Sequence, residues 1–228
     1  MVVTLLAGCS TTSPTTAPTT VEREPPPERI VLVGDSIMGE VAAAVGAATT
    51  ADVEYVLTIG TSSVADDWWD VWPRVIEEHR PDHVAVLVGP WDIDKPDIGS
   101  PEWHRWYGDR LDRWADLLTA GGAELLWMRP LPARDPVGDR KLAILDTAVR
   151  RLADRRPDIE LVDTWRRYVE RTDHGERIHR IDGLHLCAEG VERVARKLLK
   201  ALGITPDDRW EHGEWRRREP VHSDVECP

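Results

Sequence analysis

A serine and an Asp-x-x-His motif are the residues of this chain best suited to nucleophilic catalysis. Ser36 follows Gly34 and Asp35 after a short apolar run, and Asp182 precedes His185 near the other end of the chain. A serine nucleophile needs a base, and an imidazole base needs an acceptor on its other nitrogen that fixes its tautomer. His185 and Asp182 meet these two needs, so we predict a catalytic triad of Ser36, His185 and Asp182.

Neither motif is specific by itself. Gly-Asp-Ser is also a common turn and helix-cap sequence, and Asp-x-x-His pairs arise by chance in charged surface loops. The predicted triad therefore depends on elements that bring the two ends of the chain together.

After residue 28 the hydrophobic pattern alternates between two periods. Short apolar runs indicate buried strands at 29–33, 53–59, 83–88, 124–128 and 159–162. Helical spacing indicates helices at about 37–48, 68–79, 100–121, 140–155 and 190–202. This alternation predicts an α/β fold, a three-layer α/β/α sandwich around a five-stranded parallel sheet.

Polar residues follow each of the first three predicted strands. These segments are Gly34 to Ser36, Gly60 to Ser63 and Gly89 to Asp92. Ligands of parallel sheets bind at the carboxyl ends of the strands. We therefore expect the three segments to converge beside Ser36, and we place Asp35, Gly89 and Asp92 at the substrate pocket. Both carboxylates are expected to be structural, accepting backbone N–H bonds in tight turns.

The order of these motifs resembles that of the SGNH (GDSL) hydrolase family, which has a flavodoxin-like fold. The resemblance spans Ile30 to Leu202, nearly the entire predicted domain. It implies that Ser36 is the nucleophile, that Asp182 and His185 complete the triad, and that the amides of Ser36 and Gly60 bind the oxyanion.

One position departs from the family pattern. The third motif is usually Gly-x-Asn-Asp, and Trp91 stands here in the place of the Asn, whose side chain donates to the oxyanion. Loss of one such donor typically slows an enzyme by ~10²–10³. The indole N–H of Trp91 can donate in its place, or the ring can form a wall of the acyl pocket. SGNH domains attached to membrane acyltransferases show a similar divergence, which favours carbohydrate O-acyl esters as substrates.

Three functions remain open at this point. The first is a serine esterase acting on acyl esters, with acetyl esters of cell-envelope carbohydrate expected; the second is an O-acyltransferase that passes the acyl group to a polysaccharide. The third is a carbohydrate-binding protein without activity, suggested by eleven Trp residues against three Tyr and no Phe. Trp rings more often fill a core than bind sugars.

The start of the chain resembles the lipobox of bacterial lipoproteins, in Leu6-Ala7-Gly8-Cys9. The resemblance implies cleavage of a leader over residues 1–9 and lipidation of Cys9. Residues 10–28, rich in Thr and Pro, are predicted to form an extended tether, followed by the hydrolase-like domain over 29–204. We therefore expect an extracytoplasmic protein that meets the membrane only through the lipid on Cys9.

Two further cysteines, the net charge and the His spacing indicate a disulfide and disfavour nucleic acid and metal ions as ligands. In an exported chain Cys187 and Cys227 are more often paired than free, which would link the C-terminal tail (205–228) to the domain; the alternative is two separate thiols. A net charge of −12 disfavours nucleic acid. The His residues lack metal-ligand spacing, so we expect no metal, no cofactor and a monomer.

Overall fold

The computed structural model describes residues 27–58, 62, 64–93, 97–164, 182–211 and 227. Within them, strands and helices alternate along the chain. The strands are β1 (Arg29–Gly34), β2 (Asp52–Leu57), β3 (His83–Leu87), β4 (Glu124–Met128) and β5 (Ile159–Val162). The helices are α1 (Ser36–Ala47), α2 (Trp72–His79), α3 (Pro101–Thr119), α4 (Pro136–Arg155), α5 (Ala188–Ala201) and α6 (Asp208–Glu211).

The described strands form one parallel sheet in the order β2-β1-β3-β4-β5. β1 pairs with β2 on one side and β3 on the other, so Ile30 lies opposite both Val53 and His83. The chain passes from β1 to β2 on one side and then crosses to β3 on the other side of β1. The loops after β1 and β3 therefore meet at the carboxyl edge of the sheet. The predicted α/β fold class is confirmed.

Helices cover both faces of the sheet. Alternate residues of β1 enter opposite cores: Ile30 and Leu32 pack with α1 and α5, whereas Val31 and Val33 pack with α2, α3 and α4. This follows from the two-residue period of a strand. Five tryptophans are among the largest fully buried side chains, so much of the Trp content fills these cores: Trp72, Trp103, Trp114, Trp127 and Trp210.

Two predicted helix starts differ from the structure by four residues, and prolines explain both. α4 begins at Pro136 rather than 140, because Asp135 caps it by accepting a hydrogen bond from Gly138 N and proline is favourable in a first helical turn. α2 begins at Trp72 rather than 68, with Pro73 in its first turn. The preceding Asp66–Trp68 segment forms a short 3-10 helix.

Packing continues past residue 204, where we placed the domain boundary. Trp210 is buried in the core shared by α1 and α5, and its indole N–H donates to Ala44 O at 2.6 Å. A disulfide joins Cys187, the residue before α5, to Cys227. No helix of the described segments is both long and apolar enough to cross a bilayer.

Candidate active site

The turn between β1 and α1 positions Ser36 at the carboxyl edge of the sheet. β1 ends at Gly34, and Asp35 caps α1 by accepting a hydrogen bond from Ile37 N at 3.0 Å. Ser36 is therefore the first residue of the helix. Its N–H is one of the four that an α-helix leaves without an intrahelical partner, which suits it to bind an anionic oxygen.

A tight turn before α5 holds Asp182 against His185. One carboxylate oxygen of Asp182 accepts from Leu184 N at 2.8 Å and from His185 N at 2.9 Å. The other oxygen lies 2.6 Å from His185 Nδ1. Gly183 makes this turn possible because its φ of 73° lies in the left-handed region that other residues rarely adopt.

Ser36 and the Asp182 turn come together in space. Ser36 Oγ lies 2.8 Å from His185 Nε2, although 149 residues separate them in sequence. When Nδ1 carries the ring proton and donates it to Asp182, Nε2 is free to accept the proton of Ser36 Oγ. The structure therefore places the three predicted triad residues in one continuous chain of hydrogen bonds.

The surroundings of Asp182 keep its carboxylate ionised. Partial burial acts to raise the pKa of Asp182, but the hydrogen bonds from Leu184 N and from His185 outweigh it, so this pKa lies below its ordinary value. An ionised Asp182 fixes the imidazole tautomer and stabilises the imidazolium that forms when His185 takes a proton.

A buried glutamate makes a second link between α1 and the segment that carries His185. Glu40 is 1% exposed and accepts a hydrogen bond from Leu186 N at 3.0 Å. Glu40 lies one helical turn after Ser36, so both face the same segment. We did not single it out from sequence, although a carboxylate among apolar residues on the buried face of α1 was the available signal.

Asp35, Gly89 and Asp92 lie beneath the site, not on its surface. The second carboxylate oxygen of Asp35 has no hydrogen-bond partner among the described residues and packs against Gly89, where any Cβ would overlap it. Burial raises the pKa of Asp35 to about 7. Asp35 is only 2% exposed, so the turn directs this carboxyl inward.

Asp92 is the centre of a buried network. It accepts hydrogen bonds from Ser62 Oγ at 2.7 Å and from Tyr107 OH at 3.2 Å. Burial and the neighbouring Asp92 carboxylate raise the pKa of Tyr107 well above its usual range, so the phenol remains a donor. The network joins the segments after β2 and β3 to α3, and thereby supports the site from behind.

A cleft of about 420 Å³ opens beside Ser36. Its lining comes from the turn after β3, the start of α4 and the turn that carries His185: Ser36, Pro90, Trp91, Ile93, Asp135, Val137, Gly138, Lys141, Leu184 and His185. Asp35, Gly89 and Asp92, which we expected at the pocket, are not among these residues. Their capping and network bonds hold them below it, and α4 supplies residues that we did not predict.

Trp91 is a wall of this cleft. It belongs to a short 3-10 helix, Pro90–Asp92, and is 39% exposed. The use of Trp91 as an oxyanion donor stays a prediction. Gly60 and Cys9 lie outside the described residues, so the oxyanion role of Gly60 and the lipidation of Cys9 also stay predictions. Within the described residues no group of three or more His, Cys, Asp or Glu side chains could hold a metal ion.

A larger cavity, of about 740 Å³, lies at the opposite edge of the sheet. Arg29, His83 and Glu124, the first residues of β1, β3 and β4, help to line it. None of the triad residues reaches this edge, so the smaller cleft is the candidate active site.

The fold is shared with solved structures described as a "GDSL-like lipase" and "a putative SGNH hydrolase". The chain belongs to the protein family described as "Protein of unknown function (DUF459)", whose model matches residues 29–201. No curated protein sequence matches the chain significantly.

Solved structures with the same fold include three enzymes. The lipase/acylhydrolase from Enterococcus faecalis matches with a TM-score of 0.60 at 15% identity, over 78% of this chain and 98% of its own. A GDSL-like lipase from Bacteroides thetaiotaomicron matches with a TM-score of 0.60 at 16% identity, over 77% and 88%. A catalytic mutant of an acetylxylan esterase from Geobacillus stearothermophilus matches with a TM-score of 0.58 at 17% identity, over 78% and 95%. At these identities the likeness establishes a shared fold.

Proposed function

We propose that this protein is a serine ester hydrolase with Ser36 as nucleophile, His185 as general base and Asp182 as the residue that orients it. The observation that carries the proposal is the unbroken chain of contacts from Ser36 Oγ through His185 to Asp182, at 2.8 and 2.6 Å. The short 3-10 helix after β3 and the start of α4 border a cleft in front of the Ser36-His185-Asp182 contacts. An ester can approach Ser36 through this cleft.

The geometry leads to a two-step reaction. Ser36 Oγ attacks the ester carbonyl as its proton passes to His185 Nε2, and the oxyanion accepts a hydrogen bond from Ser36 N–H. The carbon–oxygen bond to the alcohol then breaks, and His185 returns the proton to the departing oxygen. In the second step His185 deprotonates a water that attacks the acyl-Ser36, which releases the carboxylic acid and restores the serine.

The oxyanion is proposed to have further donors besides Ser36 N–H. The family resemblance assigns one to Gly60, and the indole N–H of Trp91 is a candidate for the position of the missing Asn. Trp91 lines the cleft together with Ser36, which is consistent with either contact to the oxyanion or contact to the rest of the substrate.

O-acetyl esters of carbohydrate are the substrate class that we propose. Trp91 offers an exposed indole beside the nucleophile, and indole faces stack on the apolar faces of sugar rings. One structural neighbour is an acetylxylan esterase. Transfer of the acyl group to a sugar hydroxyl is a second candidate, because the replacement at Trp91 resembles that of SGNH domains attached to acyltransferases, and it shares the first step.

A fluorophosphonate probe tests the central proposal. We expect the probe to label Ser36 in the wild-type protein and not to label S36A. In D182N the imidazole loses its carboxylate partner, and labelling should slow by on the order of 10³-fold or more. Folded wild-type protein that takes up no label would exclude a serine hydrolase and leave the carbohydrate-binding alternative.

We also propose that the protein is exported and lipidated at Cys9. The Cys187–Cys227 disulfide supports export, since disulfides persist in oxidising compartments. Mass analysis of protein made in a bacterial host should show a diacylglyceryl group on Cys9 that C9S lacks. An unmodified Cys9 would refute the anchor without bearing on catalysis.

A further inference from the structure

The cleft in front of Ser36 has two chemically different walls. One wall is apolar and consists of Pro90, Trp91 and Ile93 from the turn after β3. The other wall is mixed, because the first two turns of α4 contribute Asp135 and Lys141 beside apolar and small residues. A substrate in the cleft therefore meets an aromatic face on one side and charged groups on the other.

The α4 wall lies on the side of the leaving alcohol. His185 returns its proton to the alcohol oxygen, so the alcohol must lie next to the imidazole ring. Leu184, the neighbour of His185, lines the same cleft. Arg134 N donates to Gly183 O at 2.8 Å, which joins the loop before α4 to the turn carrying the histidine. Groups on the start of α4 therefore face the alcohol and not the acyl chain.

Lys141 and Asp135 are equipped to contact hydroxyl groups there. Lys141 is half-buried and makes no ion pair with a described residue, so its ammonium keeps hydrogen-bond donors for a ligand. Asp135 is exposed; one of its oxygens accepts from Gly138 N at 2.6 Å, and a carboxylate has capacity for several more hydrogen bonds.

Other alcohols fit this combination less well. A purely apolar alcohol would cover Lys141 and Asp135 without replacing their hydrogen bonds to water, which is unfavourable. An anionic alcohol would gain Lys141 but would approach the carboxylates of Asp135 and Asp182. A neutral polyhydroxyl ring satisfies both charged groups and presents C–H surface to the indole.

We propose that Trp91, Asp135 and Lys141 form a pyranose subsite for the sugar that carries the ester, with Trp91 stacked on the ring and the two charged residues bonded to its free hydroxyls. This inference rests on the proposed ester hydrolysis. It assigns three residues to specificity. Two of them, Asp135 at the cap of α4 and Lys141 in its second turn, lie outside the family motifs.

Three kinds of acetate that differ in the alcohol test the subsite. Vinyl acetate is too small to reach α4, cyclohexyl acetate has a ring without hydroxyls, and monoacetates of methyl xyloside, methyl glucoside and methyl N-acetylglucosaminide have a ring with hydroxyls. The measurement is kcat/KM for acetate release. The wild type should favour at least one sugar ester over cyclohexyl acetate by about tenfold or more, as expected when a hydrogen bond to a charged group forms.

Substitutions then separate the contacts. K141M should lower the ratio of kcat/KM for the best sugar ester to that for vinyl acetate by about tenfold, and D135N, which keeps the helix cap, should lower it by a smaller factor. W91A should reduce kcat/KM for both ring substrates relative to vinyl acetate. K197M, which removes an exposed lysine on α5 outside the cleft, is the matched control and should change none of the ratios.

The outcomes distinguish the sugar subsite from the ester hydrolysis on which it rests. Turnover of vinyl acetate without preference for any sugar ester, or an unchanged ratio in K141M, would overturn the subsite and leave the esterase intact. Absence of both fluorophosphonate labelling and vinyl acetate turnover would overturn both.

Discussion

Asp35 shows how one residue of a catalytic turn can be specialised for structure. Its carboxyl caps α1 through Ile37 N, yet burial raises its pKa to about 7. The carboxyls of Asp92 and Glu40 add to this increase, while His185 opposes it. Asp35 therefore becomes charged near neutral pH, directly below the proposed nucleophile Ser36.

This pKa predicts a pH-dependent stability. Between the ordinary pKa of 3.8 and about 7, the folded protein holds a proton on Asp35 that the unfolded chain has released. The free energy of unfolding should therefore fall as pH rises through this window. D35N keeps a capping side chain but has no charge to bury, so its stability relative to the wild type should increase by roughly 3 kcal/mol between pH 5 and 8.

Urea unfolding of the two proteins at both pH values measures this difference. D135N, which replaces the exposed cap of α4, is the matched control and should show little change with pH. An equal stability difference between D35N and wild type at pH 5 and pH 8 would show that the Asp35 carboxyl is not destabilised by burial.

At the level of elements, α1 organises the site through two contacts one turn apart. Ser36 at its start contacts His185, and Glu40 in its second turn binds Leu186 N. The helix thus holds both the proposed nucleophile and the backbone beside the proposed base. This second contact limits how far the imidazole can move from the serine.

Loss of the Glu40 contact should weaken catalysis more than binding. In E40A the segment around His185 loses its acceptor, and kcat for a small acetate should fall by on the order of 10²-fold with little change in KM, as expected for a small misplacement of a catalytic group. E40Q keeps an oxygen that can accept from Leu186 N, so it should recover part of kcat. The rate of fluorophosphonate labelling should follow kcat.

E189A is the control for Glu40, because Glu189 is exposed on α5 and pairs with Arg193. It should change neither kcat nor labelling. If E40A lost thermal stability while a folded sample kept the wild-type kcat, Glu40 would be a stabilising residue without a positioning role.

At the scale of the whole molecule, the disulfide connects the end of the chain to the catalytic region. Cys187 lies two residues after His185 and is buried, and its partner Cys227 is 40 residues further along the chain. Closing a loop of this length reduces the entropy of the unfolded chain, and the loop-closure model gives a stabilisation of about 4 kcal/mol.

Removal of the disulfide should therefore destabilise the fold. C227S avoids placing a hydroxyl in the buried position and should unfold at a clearly lower urea concentration than the wild type. Reductant should destabilise the wild type to a similar extent and leave C227S unchanged, which controls for other effects of the reagent. Equal unfolding midpoints for wild type and C227S would show that the bond makes no net contribution.

The local sequence was sufficient to predict the strands and helices and the type of chemistry. Strands such as 29–33 and 124–128 are short apolar runs and helices have a distinct period, so the parallel α/β sheet could be predicted. The residues of the triad could be named because the order of the motifs along the predicted strands and helices resembles that of the SGNH hydrolases, although neither motif is specific by itself. Helix starts were predicted less closely: the amphipathic pattern placed the start of α4 near residue 140, whereas its cap is Asp135 and the helix begins at Pro136.

Only the tertiary structure decided which residues face the substrate. Sequence placed Asp35, Gly89 and Asp92 at the pocket because they follow strands, whereas their hydrogen bonds and close packing hold them beneath it. The family motifs do not include Lys141, which reaches the cleft from α4, or Glu40, whose signal in the sequence was a carboxylate among the apolar residues of α1. The physical reason is that strand and helix patterns depend on neighbours along the chain. The lining of a cleft depends instead on contacts between distant segments, such as those of Ser36 and His185, which are 149 residues apart.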